Sequence, residues 1–311
     1  MMQTKKFEGL IAAPFAPMDE MDNVVYDRIP MYYNFLKKNK VVGAFINGST
    51  GEGVSLTQKE RMNIAEQWVG AAKKIPGVKI INLVGGTSYA ECIENAQHSA
   101  EIGMDAIALL APYYFKPSGA TQLAEFVGRV AETVPKMPVY FYHIPVLTGC
   151  YVSMYDFLKE VAPAIPNLAG IKYTHEDFMD FQSCINFMDG KYEMLWGRDE
   201  NLLSALVLGT RSGVGSTYNY AAPLYYKLIE AFDSGNLVLA RQLQQKAINM
   251  IRLLGKYGGI ATGKAFMRYV GFDCGEFRTP VKNMSRDDYK KFAEDVKVLA
   301  MEEGFSKIAE Y

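Results

Sequence analysis

Leu168-Ala-Gly-Ile-Lys-Tyr-Thr174 is a short apolar run with one lysine in it. Val139-Tyr-Phe-Tyr-His-Ile-Pro145, about thirty residues earlier, is a second such run. Met154–Val161, between them, has helical spacing. Two short strands joined through a helix read as a parallel pair, because a parallel connection needs a crossover. A charged amine inside a buried strand is costly unless a partner pairs with it or its proton is removed.

The same unit recurs in both directions along the chain. Strands are read at Leu10–Pro17, Val42–Thr50, Lys79–Gly86, Asp105–Pro112, Pro138–Pro145, Leu168–Thr174, Glu193–Gly197 and Ser212–Tyr218. Thr57-Gln-Lys-Glu60 is a capping box that opens a helix through Trp68 to Lys73. Tyr89–Ile102 is helical in pattern and closes at Gly103. Ala120–Val134, Phe178–Met188 and Leu202–Leu208 complete the set of intervening helices with bounds.

Eight strands alternating with helices over about 220 residues predict a closed parallel barrel. The fold class is therefore α/β, a (β/α)8 TIM barrel with a C-terminal helical appendage. An open doubly wound sheet is the competitor, but no Gly-rich first crossover follows the first strand. From about Pro223 the pattern is purely helical: Pro223–Asp233, Leu237–Leu254, Thr262–Val270 and Ser285–Glu302. The expected division is a catalytic barrel over residues 1–225 and a helical extension over 226–311, packed on the barrel.

Bulk composition narrows the function. The 311 residues are 49% hydrophobic and 22% charged, with a formal net charge of −1. No basic stripe is present, which argues against nucleic acid and anionic membranes as partners. The four cysteines and three histidines are scattered without ligand spacing, so no metal site is expected. Widely spaced single thiols and a start without a long apolar segment predict a cytoplasmic protein.

In such barrels the active site lies at the C-terminal ends of the strands. Those ends carry Gly48-Ser-Thr-Gly-Glu-Gly53, Pro112-Tyr-Tyr114, Tyr142-His-Ile-Pro145, Lys172-Tyr-Thr174, Gly197-Arg-Asp-Glu200 and Gly215-Ser-Thr-Tyr218. Strand alternation puts Gly170, Lys172 and Thr174 on one face, and the outer face must be apolar to meet helices, so Lys172 points inward. Tyr140 and Tyr142 share a face on the preceding strand. Neighbouring strands lie about 4.8 Å apart, which brings the Tyr142 phenol near the amine. A lysine neutral near pH 7 needs a shift of roughly three units, which a nearly dry interior supplies. The neutral amine then attacks a ketone.

The alternative is a lysine ion-paired inside the barrel with Glu52 or Asp199. Other segments also read two ways. The Ser49-Thr50-Gly51 hydroxyls and backbone N–H groups either hold a carboxylate or form a tight turn. Asp199 and Glu200 either read sugar hydroxyls or begin a helix. Tyr113 and Tyr114 either work at the site or pack.

Taken together, Gly-Ser-Thr-Gly-Glu, Tyr-His-Ile-Pro, Gly-Ile-Lys-Tyr-Thr and Gly-Ser-Thr-Tyr-Asn, in this order, resemble the pyruvate-dependent class I aldolases, the family that includes N-acetylneuraminate lyase and dihydrodipicolinate synthase. The likeness runs from Gly9-Leu-Ile-Ala-Ala-Pro-Phe15 to Gly271-Phe-Asp-Cys-Gly-Glu-Phe-Arg-Thr-Pro280. It implies that Lys172 forms a Schiff base with the keto acid and that Tyr142 transfers protons. It implies that Ser49 and Thr50 bind the carboxylate, and that Ser49 links Tyr142 to a tyrosine lent by a neighbouring subunit. Tyr114 matches that tyrosine better than Tyr113.

A homotetramer, a dimer of dimers, follows from the same resemblance, and no metal or organic cofactor is implied. Leu147 stands where the synthases resemble one another in carrying an arginine. Gly197-Arg-Asp-Glu200 looks like the lyase segment that holds a polyol tail, with Thr174 and Ser216 as further contacts. His143 resembles one branch of the lyases. The implied small-molecule partners are sialic acid, pyruvate and N-acetylmannosamine.

Overall fold

A computed structural model describes residues 6–308. The amino-terminal stretch 1–5, read above for an export signal, and residues 309–311 of the extension lie outside the described residues. Eight parallel strands close into a barrel in sequence order: β1 Gly9–Ala12, β2 Gly43–Ile46, β3 Lys79–Leu83, β4 Ala106–Leu110, β5 Val139–His143, β6 Leu168–Tyr173, β7 Glu193–Trp196 and β8 Ser212–Gly215, with β8 pairing back to β1. The helices are α1 Ile29–Lys38, α2 Gln58–Lys74, α3 Tyr89–Ile102, α4 Ala120–Ala131, the one-turn α5 Pro145–Thr148, α6 Met154–Ala164, α7 Phe178–Asn186, α8 Leu202–Leu208, α9 Tyr218–Asp233, α10 Leu237–Lys256, α11 Ala261–Tyr269 and α12 Arg286–Val298.

Alternation along the strands builds two cores. Ile11, Phe45, Ile81, Leu83, Ala108, Tyr140, Tyr142, Leu195 and Val214 fill the barrel interior. Their neighbours Leu10, Ala44, Ile80, Ile107, Phe141, Ile171, Tyr173 and Trp196 pack outward against the helices. On β6 the pairing slips at its start: Val139 faces Leu168, but Tyr140 faces Gly170. Ala169 is thus an extra residue, and from Gly170 onward the register places Lys172 opposite Tyr142 on β5 and Leu195 on β7.

The strands stop earlier than the sequence reading had them. β2 ends at Ile46 because Asn47 takes a left-handed conformation (φ 56°). The remaining residues to Thr50 form a turn. The capping box is as expected: Thr57 Oγ1 accepts from Glu60 N at 3.2 Å and Glu60 Oε2 accepts from Thr57 N at 2.8 Å. Gly103 closes α3 at φ 83°. The sequence reading gave no bounds for α1, which begins with Pro30 in its first turn.

The helix read from Pro223 starts instead at Tyr218 and is broken at Ala221 (φ −135°). Pro223 opens the segment after the break, where a missing N–H costs little. The division at residue 225 falls within α9. Tyr218, Leu228, Met250, Phe266 and Phe292 belong to one continuous core, so the C-terminal helices pack on the barrel without a gap.

Candidate active site

Lys172 is 3% exposed, inside the barrel near its C-terminal end. Its Nζ lies 3.8 Å from the Phe45 ring centre and 3.9 Å from that of Tyr142. Those two rings meet edge to face at 5.4 Å. The aromatic faces favour an ammonium modestly, but the loss of water outweighs them. Burial pushes the Lys172 amine down to about 7, against a smaller upward pull from Asp199.

Among the described residues, no carboxylate stands within ion-pair distance of Lys172. Both carboxylates weighed as partners are engaged elsewhere. Glu52 binds Lys264, and Asp199 Oδ2 accepts from Thr217 N at 2.9 Å and Thr217 Oγ1 at 2.6 Å.

Tyr142 is equally buried, and burial pushes its phenol up to about 12, while the Ser49 and Thr174 hydroxyls pull it back. Thr174 Oγ1 is itself buried without a well-formed hydrogen bond, which leaves it available to a ligand. Gly197 makes room for it: a Cβ there would stand 1.9 Å from Thr174 Oγ1. Gly215 does the same for Asp199, whose Oδ1 would meet a Cβ at 1.8 Å. Burial pushes the Asp199 carboxyl up to about 6, with the Thr217 hydrogen bonds opposing.

Ser49, Thr50 and Gly51 form a turn above the barrel mouth, closed by Glu52 N donating to Ser49 O at 3.2 Å and Gly53 N donating to Gly48 O at 3.1 Å. Gly51 approaches the loop after β1 closely, since a Cβ would lie 3.0 Å from Pro14 O. Asn47 Nδ2 ties the base of the turn to Asn82 Oδ1 at 2.8 Å.

Glu200 and Asp199 part company. Asp199 is buried, whereas Glu200 lies on the rim, 2.7 Å from Arg198, which also reaches Glu176 at 3.3 Å. Ser216 is half-buried at the end of β8. The interior thus brings together Lys172, Tyr142, Ser49, Thr174 and Asp199.

Tyr114 is not among them. It is 77% exposed and packs on the equally exposed Phe115, whereas Tyr113 is half-buried against the barrel interior. His143 points outward to Tyr173 and His175, and burial pushes it down to about 4. Leu147 is exposed on α5.

Phe45 was not singled out from the sequence, and Gly215 and Thr217 were placed at a strand end without a role. Alternation along β2 was a sufficient signal for Phe45; the other two needed the position of Asp199. Among the described residues, no group of three or more His, Cys, Asp or Glu is placed to hold a metal ion.

The profile of the dihydrodipicolinate synthetase family matches residues 6–299. The chain is 39% identical over 289 residues to the N-acetylneuraminate lyase of Homo sapiens, covering 91% of this chain and 89% of that protein. Its structure superposes on Proteus mirabilis N-acetylneuraminate lyase with a TM-score of 0.92 at 36% identity, covering 95% and 99% of the two chains. The N-acetylneuraminate lyase (sialic acid aldolase) of Aliivibrio salmonicida gives a TM-score of 0.92 at 34% identity, over 95% and 98%.

Proposed function

The chain belongs to the dihydrodipicolinate synthetase family, and from that premise we propose that it is an N-acetylneuraminate lyase, cleaving sialic acid reversibly to N-acetylmannosamine and pyruvate. The observation that carries the chemistry is an amine buried without a carboxylate partner, held near neutrality beside a phenol. The names of its relatives support the choice of substrate.

Neutral Lys172 adds to the C2 ketone of open-chain sialic acid. The resulting hydroxyl leaves as water with a proton from Tyr142, giving an iminium beside a phenolate. The new cation stabilises that phenolate, whose pKa burial otherwise raises. The phenolate takes the C4 hydroxyl proton, the C3–C4 bond breaks, and its electron pair moves to the iminium nitrogen as the enamine forms. N-Acetylmannosamine leaves. Tyr142 returns the proton to C3, and water, giving up a proton to the phenolate, adds to the iminium and releases pyruvate. No metal or organic cofactor takes part in this sequence, since the iminium is the electron sink.

Ser49, Thr50 and the Gly51 N–H hold the keto-acid carboxylate. Thr174, Gly197, Asp199, Glu200 and Ser216 line the path of the polyol. Leu147 offers no charge to a carboxylated aldehyde, which suits a neutral sugar. Tyr114, exposed on one protomer, is read as donated to the neighbouring site in a homotetramer built as a dimer of dimers. No described helix is long and apolar enough to cross a membrane. The four free, buried cysteines suit the cytoplasm.

Borohydride trapping with N-acetylneuraminate, read by peptide mapping, tests this reading, with sugar release assayed separately without reductant. A reduced pyruvyl adduct on Lys172 together with N-acetylmannosamine release is expected. Trapping of pyruvate without cleavage of sialic acid would move the reading to another aldehyde; no adduct from either compound would overturn it.

A further inference from the structure

A second buried charge lies directly behind the carboxylate-holding turn. Glu52 follows Ser49-Thr50-Gly51 and takes a left-handed backbone conformation (φ 57°), which costs free energy in a residue other than glycine. The next position admits only glycine, because a Cβ on Gly53 would lie 1.9 Å from Asn47 O. Something must hold this turn, and the holding groups come from the far end of the chain. Lys264 Nζ, on α11, donates to Glu52 Oε1 at 2.8 Å and to Glu276 O at 2.7 Å. Arg278 N donates to Glu52 Oε2 at 2.8 Å. The Lys264 and Glu52 side chains are 2% and 3% exposed. Both carboxylate oxygens are therefore fixed by the C-terminal segment, while Glu52 N holds the Ser49 carbonyl.

We propose that Glu52 is a positioning residue for the substrate-carboxylate turn, set in place by Lys264 and the Arg278 backbone, so that the C-terminal helical segment determines how tightly the keto acid is held. This rests on the reading above that Ser49 and Thr50 bind the carboxylate. Glu52 itself touches no reacting atom. Moving its carboxylate moves the Ser49 carbonyl through one hydrogen bond and changes the hydroxyl geometry that meets the keto acid.

The test uses the full chain with two variants. Glu52→Gln/Lys264→Met removes both charges together, and Glu52→Asp keeps the charge but shortens its reach. Thermal unfolding reports the fold. The pyruvate concentration that half-saturates borohydride trapping of Lys172 reports carboxylate binding. Hydroxyacetone, a ketone without a carboxylate, serves as the control. The expected result is folded variants that need about tenfold (double) and about threefold (Asp) more pyruvate, with hydroxyacetone trapping unchanged.

A folded variant that saturates with pyruvate as the wild type does would overturn the proposal. So would an equal loss with both ketones, or collapse of the fold in both variants, either of which makes the pair a support of the fold alone. Failure of the wild-type enzyme to trap pyruvate would instead strike the aldolase reading.

Discussion

Lys172 and Lys264 are buried to the same degree, each 3% exposed, and yet they are opposites. Lys264 has a carboxylate and a carbonyl at hydrogen-bond distance. Lys172 has two aromatic faces and no anion in contact. Burial lowers the pKa of both, and at Lys264 the Glu52 carboxylate opposes it. Burial alone thus does not strip an amine of its proton; burial without an anion in contact favours the neutral form. The paired lysine ties two distant segments together. The unpaired one is poised to lose its proton.

Replacing the unpaired amine by a methionine of similar length tests this contrast most sharply. Lys172→Met removes the nucleophile, so lyase activity should fall by on the order of 10⁴-fold or more. The same change should stabilise the protein. The amine titrates at about 7 in the folded chain and at about 10.4 when unfolded, so the unfolded state binds the extra proton between those values. Wild-type stability therefore rises with pH across that window, and the penalty is largest below pH 7. The variant should gain up to about 4 kcal/mol near pH 7, and the gain should vanish above about pH 10. Urea unfolding at a series of pH values measures this. A less stable Lys172→Met protein at pH 7 would end the comparison, since it would mean that the amine has a stabilising partner after all.

Asp199 is the anion nearest in effect to Lys172, pulling its pKa up without pairing with it. Asp199→Asn removes that pull. The acidic limb of kcat/KM, which rises as the amine loses its proton, should move to lower pH, and activity at pH 7 should fall by about tenfold through lost substrate contacts. The two groups titrate as a pair, so the limb belongs to both. A limb that stays in place would show that Asp199 does not set the charge of the amine.

Much of this was legible in the sequence, and for a physical reason. Two-residue alternation and strand ends are local properties, and Lys172 and Tyr142 needed nothing more. Their pairing followed from neighbouring strands, and the register shift at Ala169 left it intact. Strand bounds were less legible, because apolar residues such as Phe15 and Ala16 continue past the last ladder hydrogen bond into buried loops. The Glu52–Lys264 pair was not legible: the two lie 212 positions apart, and neither local pattern marks its partner. Asp199 read either as a sugar-hydroxyl contact, as a partner of Lys172 or as the start of a helix, and its place behind Gly215 and Thr217 needed the closed barrel. Tyr114 is exposed and packs on Phe115, apart from the interior cluster, a placement that its sequence position did not reveal.

The smallest expected effect concerns the outer end of the bridge that Lys264 anchors. The Arg278 guanidinium holds Glu60 at 2.6 Å, and this pair is about one-fifth exposed where Lys264 and Glu52 are sealed. Arg278 pushes the Glu60 carboxyl down to about 2, with burial opposing. A depressed carboxyl stabilises the fold above its unfolded pKa of about 4.3, and that contribution fades as pH falls toward 2. Screening at the surface reduces it, so Glu60→Gln should cost about 1–2 kcal/mol at pH 7 and nearly nothing at pH 2. Because Glu60 caps α2 rather than holding the Ser49 turn, kcat/KM should stay within about twofold of wild type. Unfolding midpoints at pH 7 and pH 2, taken with the kinetics, check both halves. A variant that loses activity without losing stability would mean that the exposed end of the bridge acts on the Ser49 turn as well as on the fold.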